Sequence, residues 1–144
     1  LRFLAPTGPF YVFRGGEGIF IVRGSYARFF AYLDIIEAID AQVLAETIVL
    51  LAPLIVQGLS ELGYQQSVSA QIDRAIASIL SLQGLSGEVR LIQPQVLYQF
   101  ADPQLEVLSP LQKQALRMGP ANLARLQDYL RSFRVAYLAL PAGG

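Results

Sequence analysis

The chain of 144 residues contains no cysteine and no histidine. Without cysteine there can be no disulfide, no thiolate nucleophile and no cysteine-bound zinc or iron–sulfur site, and a domain of this size can bury its core without such staples. Without histidine the commonest general base and the commonest transition-metal ligand are missing, which excludes Ser-His and Cys-His catalytic arrangements. Charge is scarce as well. Only 15% of the residues are charged, against about 25% in a typical soluble domain, and eleven basic residues cancel eleven acidic ones. No overall field therefore draws the protein towards nucleic acid, and no nucleic-acid partner is expected.

Phosphate-binding signatures are absent too: there is no GxGxxG loop and no GxxxxGK[ST]. The stretch "RGGEG", Arg14 to Gly18, lies between two runs of aromatic and β-branched residues and reads as a hairpin turn. None of the acidic residues stands in a paired motif of the kind used in glycoside hydrolysis. The expectation is a protein that is not an enzyme and takes no cofactor or metal. The longest apolar run, "TIVLLAPLIV" from Thr47 to Val56, ends at Glu46 and Gln57. It falls short of the roughly 20 residues a spanning helix needs, which assigns it to a core or an interface. The first residue is Leu1, with no signal-peptide pattern behind it, as expected for a processed or excised piece of a longer chain.

What the chain has in excess is apolar surface, 53% of its residues being hydrophobic. Contiguous exposed apolar patches mark interaction sites, so such a composition favours a protein partner or a homo-oligomer. The pattern predicts a mainly α fold, a compact multi-helix bundle with a small N-terminal β-hairpin. Residues 1–9 read as an entry linker, 10–140 as a single mostly helical domain and 141–144 as a tail.

The hairpin strands are Phe10–Arg14 and Ile19–Arg23. Ser25 is the expected N-cap of a first helix with Tyr26, Phe29, Phe30, Leu33 and Ile36 on one face and Arg28, Asp34 and Glu37 elsewhere. Asp40 caps a second helix that Gly63 closes and that Pro53 should kink or split. This helix is apolar on every side, as in a central helix or one clasped by a partner. Ile48, Leu51, Leu54, Ile55 and Leu59 form its candidate interface. Ser67 or Ser69 starts a third helix carrying Ile72, Ile76, Ile79 and Leu80.

Val89–Pro94 fits a short strand, and "QVLYQF" is compatible with extended chain or a helical turn. Two helix starts follow in succession. Asp102-Pro103 places a capping side chain before a proline in the first turn, and Ser109-Pro110 repeats the device with Gln112 completing a capping box. Met118-Gly119-Pro120 closes that helix and opens the last one, expected to run to about Tyr137 and to bury Leu123, Leu126, Leu130, Phe133 and Tyr137.

The stretch "LYQFADPQLEVLSPLQKQALRMGPANLARLQDYL", Leu97 to Leu130, resembles the carboxy-terminal signature of the bacterial domain-of-unknown-function family 3014. The matching residues run through Tyr98, Phe100, Asp102, Pro103, Glu106, Ser109, Lys113, Arg117, Met118, Gly119, Pro120 and Asn122, with weaker echoes in "SYARF", "PLI" and "ELGY". The segment around Pro53 departs from the family by being more apolar. The resemblance implies a membrane-anchored envelope protein whose soluble domain lies on the periplasmic side of the inner membrane. Membrane proximity would then come from an N-terminal anchor absent from this stretch of chain.

Asp102, Glu106, Ser109, Lys113, Arg117 and Asn122 form the candidate polar junction. One reading gives these residues caps, ion pairs and backbone bonds; the other gathers them into a charged site at the helix junction. The function expected is a non-catalytic interaction or accessory module of the bacterial cell envelope, docking onto a membrane-protein complex or self-associating. The alternative is a ligand-binding or carboxylate-dependent enzyme domain acting on an envelope component, with Asp102, Glu106 and Arg117 around one pocket.

Overall fold

The computed structural model describes residues 8–65 and 67–141. Most of the entry linker (1–7) and of the tail (142–144) lies outside the described residues. The fold is mainly α, with a small N-terminal β-hairpin, as the pattern predicts. The chain clusters into two compact units: one ends its first segment at Asp34 and resumes over Leu82–Arg125, and the other comprises Ile35–Ser81 and the chain from Leu126 onwards.

In the first unit the hairpin is half of a larger sheet. Strands β1 (Val12–Gly15) and β2 (Gly18–Ile21) are joined by β3 (Arg90–Ile92) and β4 (Gln99–Phe100) in the order β1-β2-β3-β4, each neighbouring pair antiparallel. The physical need is plain, because an isolated two-stranded hairpin is marginal in water. Leu91 pairs with both Ile19 and Phe100, and Leu91, Phe100 and Ile21 are buried. The segment "QVLYQF" thus ends as strand.

The expected N-cap at Ser25 is not there. Residues Arg23–Phe29 form a 3-10 helix, and the α-helix α1 spans Phe30–Ala38. Ser25 is fully buried; its Oγ accepts from the Tyr11 backbone N–H and donates to the Tyr11 carbonyl, both at 2.7 Å. A hydroxyl engaged with two backbone groups beside the first strand cannot cap the turn that follows it. Left without a partner, the buried Ser25 hydroxyl would cost about 1–3 kcal/mol, and the two bonds to Tyr11 remove that cost. Leu33 is fully buried as expected, whereas Phe30 is half exposed.

Helix α2 (Ala41–Glu61) starts where expected, Asp40 Oδ1 accepting from the Val43 N–H at 3.0 Å, and is followed by Gly63 at φ +84°. It continues through Pro53 without splitting. Helix α3 (Val68–Leu80) is capped by Ser67, whose hydroxyl accepts from Ala70 N–H. The core of this second unit is Ala45, Ile76 and Phe133, surrounded by Leu44, Ile48, Ile72, Leu130 and Tyr137.

The two successive helix starts are both present. Asp102 caps α4 (Pro103–Glu106), and Ser109 caps α5 (Pro110–Arg117) with the full capping box to Gln112. Helix α6 runs over Pro120–Ala139, with Leu123 and Phe133 buried and Leu126, Leu130 and Tyr137 partly covered. Arg125 pairs with Asp34 at 2.7 Å, while Asp128 pairs with Arg131.

Gly119, between α5 and α6, is required twice over. Its φ is +89°, and a Cβ built there would lie 2.5 Å from Cγ of Tyr26. The left-handed backbone alone costs an alanine about 1–2 kcal/mol, and overpacking against a ring adds about 1–3 kcal/mol. Gly119→Ala should therefore lower the unfolding free energy by at least about 2 kcal/mol in urea titration. Gly16→Ala, whose Cβ would meet nothing within 4 Å, serves as the control and should change it by less than about 0.5 kcal/mol.

Candidate functional site

Three of the six residues at the predicted polar junction come together in the first unit. Glu106 at the end of α4 and Lys113 and Arg117 on α5 line a cavity of about 350 Å³, with Phe10, Arg28, Leu97 and Tyr98 contributing to its walls. The capping prolines explain the assembly. Each fixes a sharp start to its helix, so that α4 ends with Glu106 and α5 presents Lys113 and Arg117 one turn apart.

The other three serve elsewhere. Asp102 and Ser109 cap α4 and α5. Asn122 is buried on α6, where its Nδ2 donates to the carbonyls of Met118 (2.8 Å) and Tyr26 (3.0 Å), closing the last turn of α5. Asp102 does not line the cavity that Glu106 and Arg117 share.

Glu106 is a carboxylate with its acceptors occupied. Oε1 accepts from Lys113 Nζ at 2.8 Å and Oε2 from the Phe100 N–H at 2.9 Å. The hydrogen bond from Lys113, then that from Phe100, hold its carboxyl below the ordinary glutamate pKa, with the Lys113 and Arg117 charges assisting. The same bonds tie α5 to the end of β4 through α4. Arg117 lies over the Phe100 ring, 5.2 Å from its centroid, and donates to the Tyr98 carbonyl at 3.1 Å.

Arg28 is the residue that the sequence placed away from any site. Its guanidinium lies over two rings, Phe10 at 4.9 Å and Phe29 at 4.8 Å from the centroids, and its Nε is buried without an acceptor. Burial, and then the neighbouring Arg117 charge, push its pKa down. Nothing in the composition signals this. In a 3-10 helix, side chains three apart eclipse, so Arg28 stands above the buried Ser25 instead of on a solvated α-helical face. Beside the cavity, Arg14 lies over the Tyr98 ring and donates to the Tyr98 hydroxyl at 2.9 Å.

The second candidate, the apolar face of α2, is in the other unit. Ile48 packs on the core there and Leu59 is half covered, whereas Leu51, Leu54 and Ile55 are exposed, at 42%, 65% and 36%. Leu50 (77%) and Val43 are also exposed, on the side that Leu54 shares, and Val56 is exposed on another. Ala45 is the one fully buried residue of α2. The helix extends well past the ten-residue apolar run, and by length and composition alone it is long enough to cross a membrane.

Among the described residues no group of acidic side chains is placed to hold a metal ion. What the first unit offers is a small cationic, aromatic-walled cavity, and what the second offers is an apolar helix surface. A mainly helical protein built in this way matches the family described as protein of unknown function (DUF3014), over residues 1–134. The chain belongs to that family. No curated protein and no solved structure matches it.

The occupied carboxylate of Glu106 gives a pH signature. Its folded-state pKa lies below the unfolded value, so the stability it contributes is present above the ordinary glutamate value of about 4.3 and is lost as pH falls through the lowered folded value. Glu106→Gln should be less stable than the parent at pH 7, and the difference should shrink below about pH 4. Urea unfolding across that range reads the effect.

Proposed function

We propose that this chain is a non-catalytic interaction or accessory module of the bacterial cell envelope, on the periplasmic side of the inner membrane, that docks through α2 onto a membrane-protein complex or a second copy of itself. The observation that carries the reading is the exposure of Leu50, Leu51, Leu54, Ile55 and Val56, successive apolar side chains pointing to several sides of one helix. Burying a leucine-sized side chain is worth about 1.5–3 kcal/mol, so leaving five in water is a standing driving force for association. The likeness to envelope proteins in the sequence supports the location.

A protein partner is favoured over passage of α2 through a bilayer. The first half of the helix is packed at Ala45 against Ile76 and Phe133, and the helix that supplies Phe133 also carries Asp128, Arg131 and Arg134. Charges of that kind are expensive in hydrocarbon. The carboxylates bear on the alternative of a carboxylate-dependent enzyme: Asp102 is used as a cap and Glu106 as an ion-pair partner, which supports a binding role over acid–base chemistry.

Light scattering after size exclusion, over a concentration series and with detergent-solubilised inner-membrane proteins added, tests the proposal. The parent chain should run as a dimer or larger species, or co-elute with a membrane-protein complex. Leu50→Ser with Leu54→Ser should abolish the association with little loss of stability, both side chains being exposed. A parent chain that stays monomeric in every condition contradicts the reading.

A further inference from the structure

The cavity of the first unit holds more positive charge than its neighbours neutralise. Arg28, Lys113 and Arg117 line it against one carboxylate, Glu106, and that carboxylate is bonded to Lys113 at 2.8 Å. Arg117 donates to a neutral carbonyl. Among the described residues no carboxylate pairs with Arg28, and its Nε is buried with no acceptor at all. An unpaired buried donor on a cation is costly, and an anion held in the cavity beside it would offset part of that cost.

Stacking holds these groups in place without neutralising them. Arg28 is fixed over Phe10 and Phe29, and Arg117 over Phe100. Such contacts stabilise and orient a guanidinium, and for Arg28, whose Nε is covered, the terminal nitrogens are the ones left for an acceptor. Two oriented guanidiniums on one cavity repel each other, in keeping with the lowered pKa of Arg28. An anion between them would remove that repulsion.

We infer that this cavity binds a phosphate monoester carried on a compact apolar or aromatic body, with Arg28 and Arg117 gripping the phosphate and Phe10, Leu97 and Tyr98 lining the remainder. The dianion matches the net excess of two positive charges that Arg28, Lys113 and Arg117 leave over Glu106, and arginine forks suit phosphate oxygens. The volume of about 350 Å³ lies at the small end of ligand pockets, which limits the body to about the size of one ring. Glu106 on the wall disfavours extended polyanions. The phosphate could belong to a soluble molecule or to the headgroup of a phosphomonoester lipid. This site is independent of docking through α2.

The test titrates the full chain with phenyl phosphate, following backbone amides and arginine side-chain Nε–H signals by NMR. Phosphatidate in phosphatidylcholine vesicles is tried in parallel by co-sedimentation. Saturable shifts that include the Arg28 Nε–H, with benzoate and inorganic phosphate each about tenfold weaker or more, support the site. Arg28→Gln and Arg117→Gln should each weaken binding by about tenfold or more, as loss of a charge-assisted bond implies, and Arg134→Gln should not. Arg28→Lys, which keeps the charge and loses the fork, provides a second, milder variant should the glutamine variant unfold. Binding of phenyl phosphate but not of vesicles assigns a soluble ligand; Arg28-dependent binding of phosphatidate vesicles alone assigns a lipid headgroup. Absence of both, benzoate binding as tightly as phenyl phosphate, or undiminished binding by folded Arg28 and Arg117 variants overturns the inference.

Discussion

The double hydrogen bond between Ser25 and Tyr11 is the constraint on which the first unit depends. It ties the 3-10 segment to the residue preceding β1, so that the segment cannot relax into the α-helix its sequence would otherwise favour. The placement of Arg28 on one wall of the cavity follows from that tether. With Ser25 buried, the residue three positions on is brought to the same side, and Arg28 comes to lie over Phe10 and Phe29. A guanidinium placed so near a second one would be poorly tolerated on a mobile turn, because each would move away from the other.

The opposite wall is fixed by a different kind of interaction. Glu106 joins the backbone of Phe100 to the side chain of Lys113, so strand β4, helix α4 and helix α5 share one carboxylate. This pair is partly exposed, and its Coulombic worth is accordingly modest. Its consequence is geometric: with Lys113 neutralised, the positive charge that remains belongs to the two arginines held against rings. The cavity wall thus keeps a net positive charge after the Glu106–Lys113 pair is made.

Much of the helical framework was legible because capping is local. Asp40, Ser67, Asp102-Pro103 and Ser109-Pro110 with Gln112 each fix a helix start through bonds spanning two or three residues, and each start lies where its sequence puts it. Long-range pairing was less legible. The addition of β3 and β4 to the hairpin depends on Leu91 meeting Ile19 and Phe100, partners far apart in the chain. Ser25 departs from the N-cap its local sequence suggests for the same reason, its partner being fourteen residues earlier. At the candidate site, Glu106, Lys113 and Arg117 could be found from the helix junction, but Arg28 could not, because periodicity of 3.6 residues assigns it to solvent. On α2, the sequence shows an apolar helix, and only the fold separates Ile48, which faces the core, from Leu51, Leu54 and Ile55, which face water.

Arg28 is held between two rings with a buried donor that has no acceptor. Hydrogen exchange at arginine side-chain Nε–H groups of the ligand-free chain, measured by NMR at pH 6, tests that placement most directly. The Arg28 Nε–H should exchange far more slowly than that of exposed Arg134 and show nuclear Overhauser contacts to the rings of Phe10 and Phe29. Exchange as fast as at Arg134, with no ring contacts, would mean that the guanidinium is free in solution and that the cavity as described is not a formed site.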